Sequence, residues 1–462
     1  MSPLVQGRLA YSGPLEFLGQ QPARLDETTP STSDGPTRSC IQRRAVQPHS
    51  DHSQQHPVDA LRDRAAWDAI RRIHLNIDHP DILNSILSPL AGHDRIRSSS
   101  VKSIIIRCGE PTEAPRVSDF LARYRFPELR HLELDKCSIL SWDLITSKTS
   151  ALTSLTLDSQ DLSPSIGSSQ LLSILRSNPS LREISLSWCA IPDAYENDGG
   201  DASSQVPLIH LRKLDLTGVL QNVFTLLHQL DYPREMDNLC LDLGGYTAER
   251  GPEVIGPFLR DHLRRRTKSE GGLGLYFSSS SKWTGRFSVG DTDRTDFSAP
   301  ELARMDTPVT IIINHFYERV PIDEVLLSLL AYIPQEEITY CRASSTSIST
   351  EVLSAQLPYL RVIHFEIPLH VRVAFPKPIL DRDGILPYLQ RIRIILDGGS
   401  VRRGGWRTLT NFLEHLAFSG NKLSTLEVVG SGDVDPAVES RIRRVVREVR
   451  IISDGDHDTD DD

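Results

Sequence analysis

Leu129-Arg130-His131-Leu132-Glu133-Leu134-Asp135-Lys136-Cys137 and Leu181-Arg182-Glu183-Ile184-Ser185-Leu186-Ser187-Trp188-Cys189 are one pattern written twice. Aliphatic residues fill slots 1, 4 and 6, and cysteine closes slot 9. The three aliphatic slots return at Leu152, Leu155, Leu157; at Leu211, Leu214, Leu216; and at Met236, Leu239, Leu241. They return again, with an aromatic residue in one slot, at Leu360, Ile363, Phe365; at Leu389, Ile392, Ile394; and at Leu423, Leu426, Val428. Three apolar slots alone are weak evidence in a chain that is 39% hydrophobic. Cysteine is the sharper signal, because only six occur in 462 residues and two of them take the same slot. Slots 4 and 6 alternate with the polar positions between them, which is the period of a strand with one buried face. Between such strands lie helical patterns, clearest at Val219, Leu220, Val223, Phe224, Leu226, Leu227 and Leu230. Alternating strands and helices predict β/α units with parallel strands.

The pattern resembles the leucine-rich repeat, in which each unit is one strand plus a helix or turn. The first leucines at 129, 152, 181 and 211 give spacings close to that repeat length. The resemblance implies an α/β leucine-rich-repeat solenoid, a horseshoe of irregular repeats with parallel strands alternating with helices. Stacked leucines would form its spine, and the slot-9 thiols would pack inward as structural groups. An ordinary doubly wound α/β sheet with leucine-rich strands is the alternative. A second resemblance lies in Pro127-Glu128-Leu129-Arg130, Pro179-Ser180-Leu181-Arg182 and Pro358-Tyr359-Leu360-Arg361. With the irregular repeats, these openings are similar to the C-terminal part of fungal F-box proteins with leucine-rich repeats. That family implies a substrate receptor of a ubiquitin ligase, whose F-box binds a Skp-type adaptor while the repeats hold the substrate. Pro14-Leu15-Glu16-Phe17-Leu18 echoes an F-box opening only faintly, and Pro22 would stop a helix there. Adaptor binding is therefore expected only if an F-box exists.

Residues 1–66 carry seven prolines and long polar runs, too little apolar surface to offset chain entropy, and are expected to be disordered. The solenoid is expected over 67–450. An irregular insertion is placed at about 245–350, with a domain boundary there as the rival. Within it, Pro257–Arg266 reads as a helix with proline in its first turn, followed by a hairpin around Ser278–Ser281. Val325–Ile333 reads as a further helix. Near the end, Asp435-Pro436 opens a helix whose apolar face is read through Val449, with Arg441, Arg443, Arg444 and Arg447 mostly opposite. It suits a terminal cap of the solenoid, and also a basic amphipathic helix for calmodulin or an anionic membrane. Residues 451–462 read as a solvated acidic tail.

Lys plus Arg total 51 against 61 acidic residues, a formal charge of −10, which argues against a nucleic-acid binder that works by bulk electrostatics. No apolar run is long enough for a membrane span and no leader is evident. The scattered cysteines suit neither a zinc site nor a disulfide framework. A cytoplasmic or nuclear location is expected. His49, His52 and His56 lie in a polar stretch that fixes no ligand geometry, and the aspartates after 454 lack the pattern of a calcium loop. No phosphate loop, nucleophile elbow or zinc-protease motif occurs, so no enzyme, cofactor or metal is expected.

The residues between the inward leucines are expected on a concave face. In the first five repeats these include Glu133, Asp135, Asp158, Glu183, Asp215 and Asp242, against Lys213 as the one base, with Trp188 at a strand end. Such a face would favour a basic protein partner, with Trp188 as an aromatic anchor. A merely solvated polar face is the alternative.

Overall fold

The computed structural model describes residues 71–77, 97–108, 117–137, 142–159, 166–192, 205–245, 251–264, 272–291, 309–314, 322–344, 356–367, 386–396, 403–430 and 434–452, with some positions inside these spans left out. The expected N-terminal disordered segment and the acidic residues from 453 onward lie outside them. The described chain is mixed α/β, with a large, mostly parallel sheet and six α-helices. It divides into two compact units, Met1–Leu152 with Asp158–Pro164, and Thr153–Leu157 with Ser165–Asp462. The division falls near 152–165.

In the first unit, β1 (Arg72–Ile77), β2 (Ser103–Cys108) and β3 (His131–Asp135) run parallel. Ile73, Ile104 and Leu132 share one register line, and Leu75, Ile106 and Leu134 the next. All six are buried, the rungs of an aliphatic ladder. At about 1.5–3 kcal/mol per buried aliphatic side chain, each rung contributes most when its neighbours are in place. Strand β4 (Ser154–Ser159) straddles the division between units.

The second unit contains β5 (Glu183–Trp188), β6 (Lys213–Val219), β7 (Asn238–Gly244), β8 (Leu273–Ser281), β9 (Thr284–Asp291) and β10 (Val309–Ile313). After these come β11 (Ile338–Ser344), β12 (Val362–Ile367), β13 (Arg391–Leu396), β14 (Thr425–Val429) and β15 (Glu448–Ile452). Its helices are α1 (Ser168–Ser177), α2 (Leu220–His228), α3 (Gly251–Arg264), α4 (Ile322–Ser328), α5 (Arg403–Phe418) and α6 (Pro436–Val445). The strands are ordered β5-β6-β7-β10-β9-β8-β11-β12-β13-β14-β15. Sequential order and parallel pairing hold on both sides of the insertion. Inside it they fail: β8 and β9 form the expected hairpin, β9 is antiparallel to both neighbours, and β8 to β10 enter the sheet in reverse order.

A joint recurs before the strands. Leu129, Leu181, Leu211, Leu360 and Leu389 each donate their N–H to the carbonyl three residues earlier, at Phe126, Asn178, Leu208, Leu357 and Leu386. Four of these five turns have proline second, at 127, 179, 358 and 387, where its fixed φ suits a β-turn. This places slot 1 in the turn, so the strands begin two residues later than the aliphatic pattern alone suggests. The strand ends recur as well. Slot 8 is left-handed at Lys136 (φ 53), Trp188 (φ 47) and Gly430 (φ 79), a conformation that swings the next residue out of the strand.

Three helix readings need correction. α3 starts at Gly251, so Pro257 lies inside it and Pro252 takes the first turn. α4 ends at Ser328 and tightens into a 3-10 turn, Leu329–Tyr332, before Pro334. α6 ends at Val445, because Val446 is extended and Val449 belongs to β15. That strand also claims Ile451 and Ile452 from the expected acidic tail.

Candidate functional site

In each unit the polar residues between the buried rungs lie on the side of the sheet opposite the ladder. In the first unit this face carries Glu133 and Asp135, half-buried on β3. Arg107 of β2 donates to Glu133, and His131 lies 3.5 Å from the same carboxylate, so this acid is matched within the fold. Asp135 is left with one buried oxygen that has no hydrogen-bond partner. Burial, and then the charge of Asp158, raise its pKa above the ordinary carboxylate range. The Lys136 N–H donates to the main-chain carbonyl of Asp158 at 2.7 Å. Cys137 is buried, its Sγ 3.3 Å from the Asp135 carbonyl and 3.6 Å from that of Ile106, the inward packing expected of slot 9. Cys189 lies outside the described residues.

In the second unit, Glu183 and Lys213 are register partners 3.6 Å apart and both exposed, a pair that contributes at most about 1 kcal/mol. Asp215 lies beside Cys240 on the next line, and Asp242 accepts a hydrogen bond from Asn314. Burial, and after it the charge of Asp215, push the Cys240 thiol up to about 12, and burial alone does the same for Cys341. Both therefore stay protonated near neutral pH and are poor nucleophiles. Trp188 is half-buried at the end of β5, and its ring reaches across to Gly244 of β7. A Cβ at Gly244 would lie 3.1 Å from Trp188 Cη2. The tryptophan is thus partly committed to its own sheet. The seven residues read as one acidic face are divided between the two units, and Glu133 and Glu183 have cationic partners.

Beyond the insertion, where Thr310 and Ser288 are buried, the same side of the sheet carries arginines interleaved with acids, Arg393 beside Glu427 and Arg450 beside Glu448. One register line runs Asp215, Cys240, Thr310, Ser288, Tyr276, Arg342, His364, Arg393, Glu427, Arg450. Tyr276 lies between two guanidinium groups, with Arg342 Cζ 5.3 Å and Arg286 Cζ 5.8 Å from its ring centroid. The Tyr340 hydroxyl meets His364 Nδ1 at 3.3 Å. Arg393 lies 3.8 Å from Glu427, both largely covered. Tyr340, His364, Arg391, Arg393 and Glu427 line a small cleft of about 20 Å³, room for about one water.

Sequence reasoning missed this half, although the inward/outward rule applied to Ile363, Ile392, Ile394 and Leu426 already places His364, Arg393 and Glu427 on the open face. Tyr276, Arg286 and Arg342 needed the topology. Among the described residues no group of three or more His, Cys, Asp or Glu side chains could hold a metal ion. No helix of the described residues is long and apolar enough to cross a membrane. A scan against protein-family models and a search of curated proteins found no match.

Proposed function

We propose that the protein is a recognition scaffold built as a leucine-rich-repeat solenoid, which holds a protein partner on the open face of its sheet and catalyses no reaction. The observation that carries this reading is the repeated module of turn, buried ladder rung and left-handed exit, which leaves the polar residues of successive strands in continuous lines. A sheet face of this kind offers many side chains at fixed spacing, which suits a surface for protein contact better than a single reactive centre. The similarity to fungal F-box proteins makes the substrate-binding part of a ubiquitin-ligase receptor the specific form of this proposal, with a Skp-type adaptor as partner where an F-box is present.

Asp135 and Asp158 on the open face of the first unit, and Asp242 on that of the second, are the proposed contacts for basic side chains, and Asp135 keeps one buried oxygen without a hydrogen-bond partner. The test is capture of lysine- and arginine-rich peptides by the immobilised full chain. Reversing Asp135, Asp158 and Asp242 to lysine is expected to abolish capture, with circular dichroism verifying the fold. Unchanged capture removes the acidic face from the proposal. Co-purification with a Skp-type adaptor is the separate test of the ligase form.

A further inference from the structure

Among the described residues, no strand pairs with the outer edge of β15. Val449 and Ile451 extend two ladder lines there, in register with Leu426 and Val428. Val428 and its ladder neighbour Ile394 are 1% and 2% exposed, whereas Ile451 is only half-buried, with no described strand beyond it. The edge strand β1 of the first unit differs, because its rungs Ile73 and Leu75 are both buried.

The main chain of β15 sorts its polar groups by residue. Glu448 donates its N–H to the Ser424 carbonyl, and the Ile452 carbonyl accepts from the Gly430 N–H. Glu448, Arg450 and Ile452 therefore face β14, and alternation turns the N–H and C=O groups of Val449 and Ile451 outward. Those outward groups are placed symmetrically about Arg450. An antiparallel copy of the same strand, related by a two-fold axis at Arg450, satisfies all of them. Val449 of each copy then exchanges both hydrogen bonds with Ile451 of the other. Residues directly opposite share a face, so the same register sets Val449 against Ile451 on the ladder side and carries the aliphatic rungs across the axis. On the polar side Arg450 meets its symmetry mate, each guanidinium already held by its own Glu448 at 2.8 Å. Sliding the copy by two residues would set Ile451 against Arg447, whose N–H is already donated to the Leu423 carbonyl.

We propose that β15 is a self-association edge, on which a second copy of this chain pairs antiparallel about Arg450. The contact is small, which suits a reversible dimer and not a permanent one. It uses neither the open face nor the partner of that face, so the dimer and the scaffold reading are tested separately.

Sedimentation of the full chain over a concentration series is expected to show a monomer–dimer equilibrium. Ile451→Lys, which puts a charge on the half-buried rung, is expected to weaken it at least tenfold, with circular dichroism verifying the fold. Cross-linking reads the register independently. Opposed residues of a non-hydrogen-bonded antiparallel pair have Cα atoms about 4.5 Å apart, within disulfide reach. Residues two positions off the axis lie roughly 14 Å from their mates. Arg450→Cys is therefore expected to give a disulfide-linked dimer on mild oxidation with diamide, and Glu448→Cys, like the unaltered protein, is not. A chain that stays monomeric at every concentration, or a dimer that Ile451→Lys leaves intact, overturns the edge. So do cross-linking at both positions or at neither, and assemblies that grow beyond two copies.

Discussion

Acid should destabilise the second unit through His364. The ring is buried on β12, and burial, followed by the charges of Arg342 and Arg393, lowers its pKa from the ordinary value near 6.5 to about 3. The groups that face it are Tyr340 from β11, the two arginines from the flanking strands, and Glu427 beyond Arg393. A lowered histidine pKa means that, between about pH 3 and 6.5, the unfolded chain binds a proton that the folded chain refuses. Stability from this group is therefore complete above about pH 6.5 and is lost as pH falls toward 3. Each unit of pH in that window is worth about 1.36 kcal/mol, so lowering the pH from 7 to 5 should cost about 2 kcal/mol. Urea unfolding followed by tryptophan fluorescence at pH 7, 6 and 5 measures the slope. His364→Gln keeps a polar side chain but cannot take the proton. The difference between the two proteins isolates His364 from other titrations, such as that of Asp135, whose raised pKa acts in the opposite sense. Equal pH slopes in the two proteins would refute the reasoning.

Gly256→Ala in α3 should lower stability by about 1–3 kcal/mol, measured as a fall in Tm, although alanine is ordinarily the better helix former by about 1 kcal/mol. A Cβ at that position would lie 2.4 Å from the Tyr332 ring, so overpacking outweighs propensity. Asp435→Ala should cost about 1 kcal/mol in urea unfolding, because the Asp435 carboxylate accepts from the Ala437 N–H at 2.9 Å and caps α6. Asp435→Asn, which keeps the acceptor, should recover most of that loss.

What the sequence disclosed was what repeats. The leucine slots were readable because each rung needs the same inward side chain, whatever the rest of its unit does. The α6 start was readable because Asp435 and Pro436 act locally. Helix ends were harder: valines continue the apolar pattern past Val445, yet β-branched residues serve a strand equally well, and β15 takes over at Glu448. Pro257 misled because a proline marks a helix start only when no earlier one does, and Pro252 precedes it. The charge of the open face was the least legible feature. Glu133 looks free along its own strand, but its partner Arg107 arrives from a strand 26 residues earlier. An ion pair between strands is invisible until register is known.

The insertion enters the sheet without breaking its register lines. A hairpin added to a parallel sheet needs one strand running the wrong way, and β9 is that strand. Because β8 and β10 flank it, each can still meet its outer neighbour in parallel: β10 pairs with β7, and β8 with β11. Reversing the order of three strands thus confines all antiparallel pairing to the middle. The alternation of faces survives the reversal. Phe277 and Phe287 turn inward, with ring centroids 5.5 Å apart and edge to face, while Tyr276 and Ser288 stay on the polar line, where Ser288 is buried against Thr310. Aromatic packing of this geometry adds about 0.5–1.5 kcal/mol beyond burial, which helps offset the lost regularity of the ladder. The same hairpin brings Arg286 over Tyr276, so the element that interrupts the repeat also adds a cation–π contact on the polar side of the sheet.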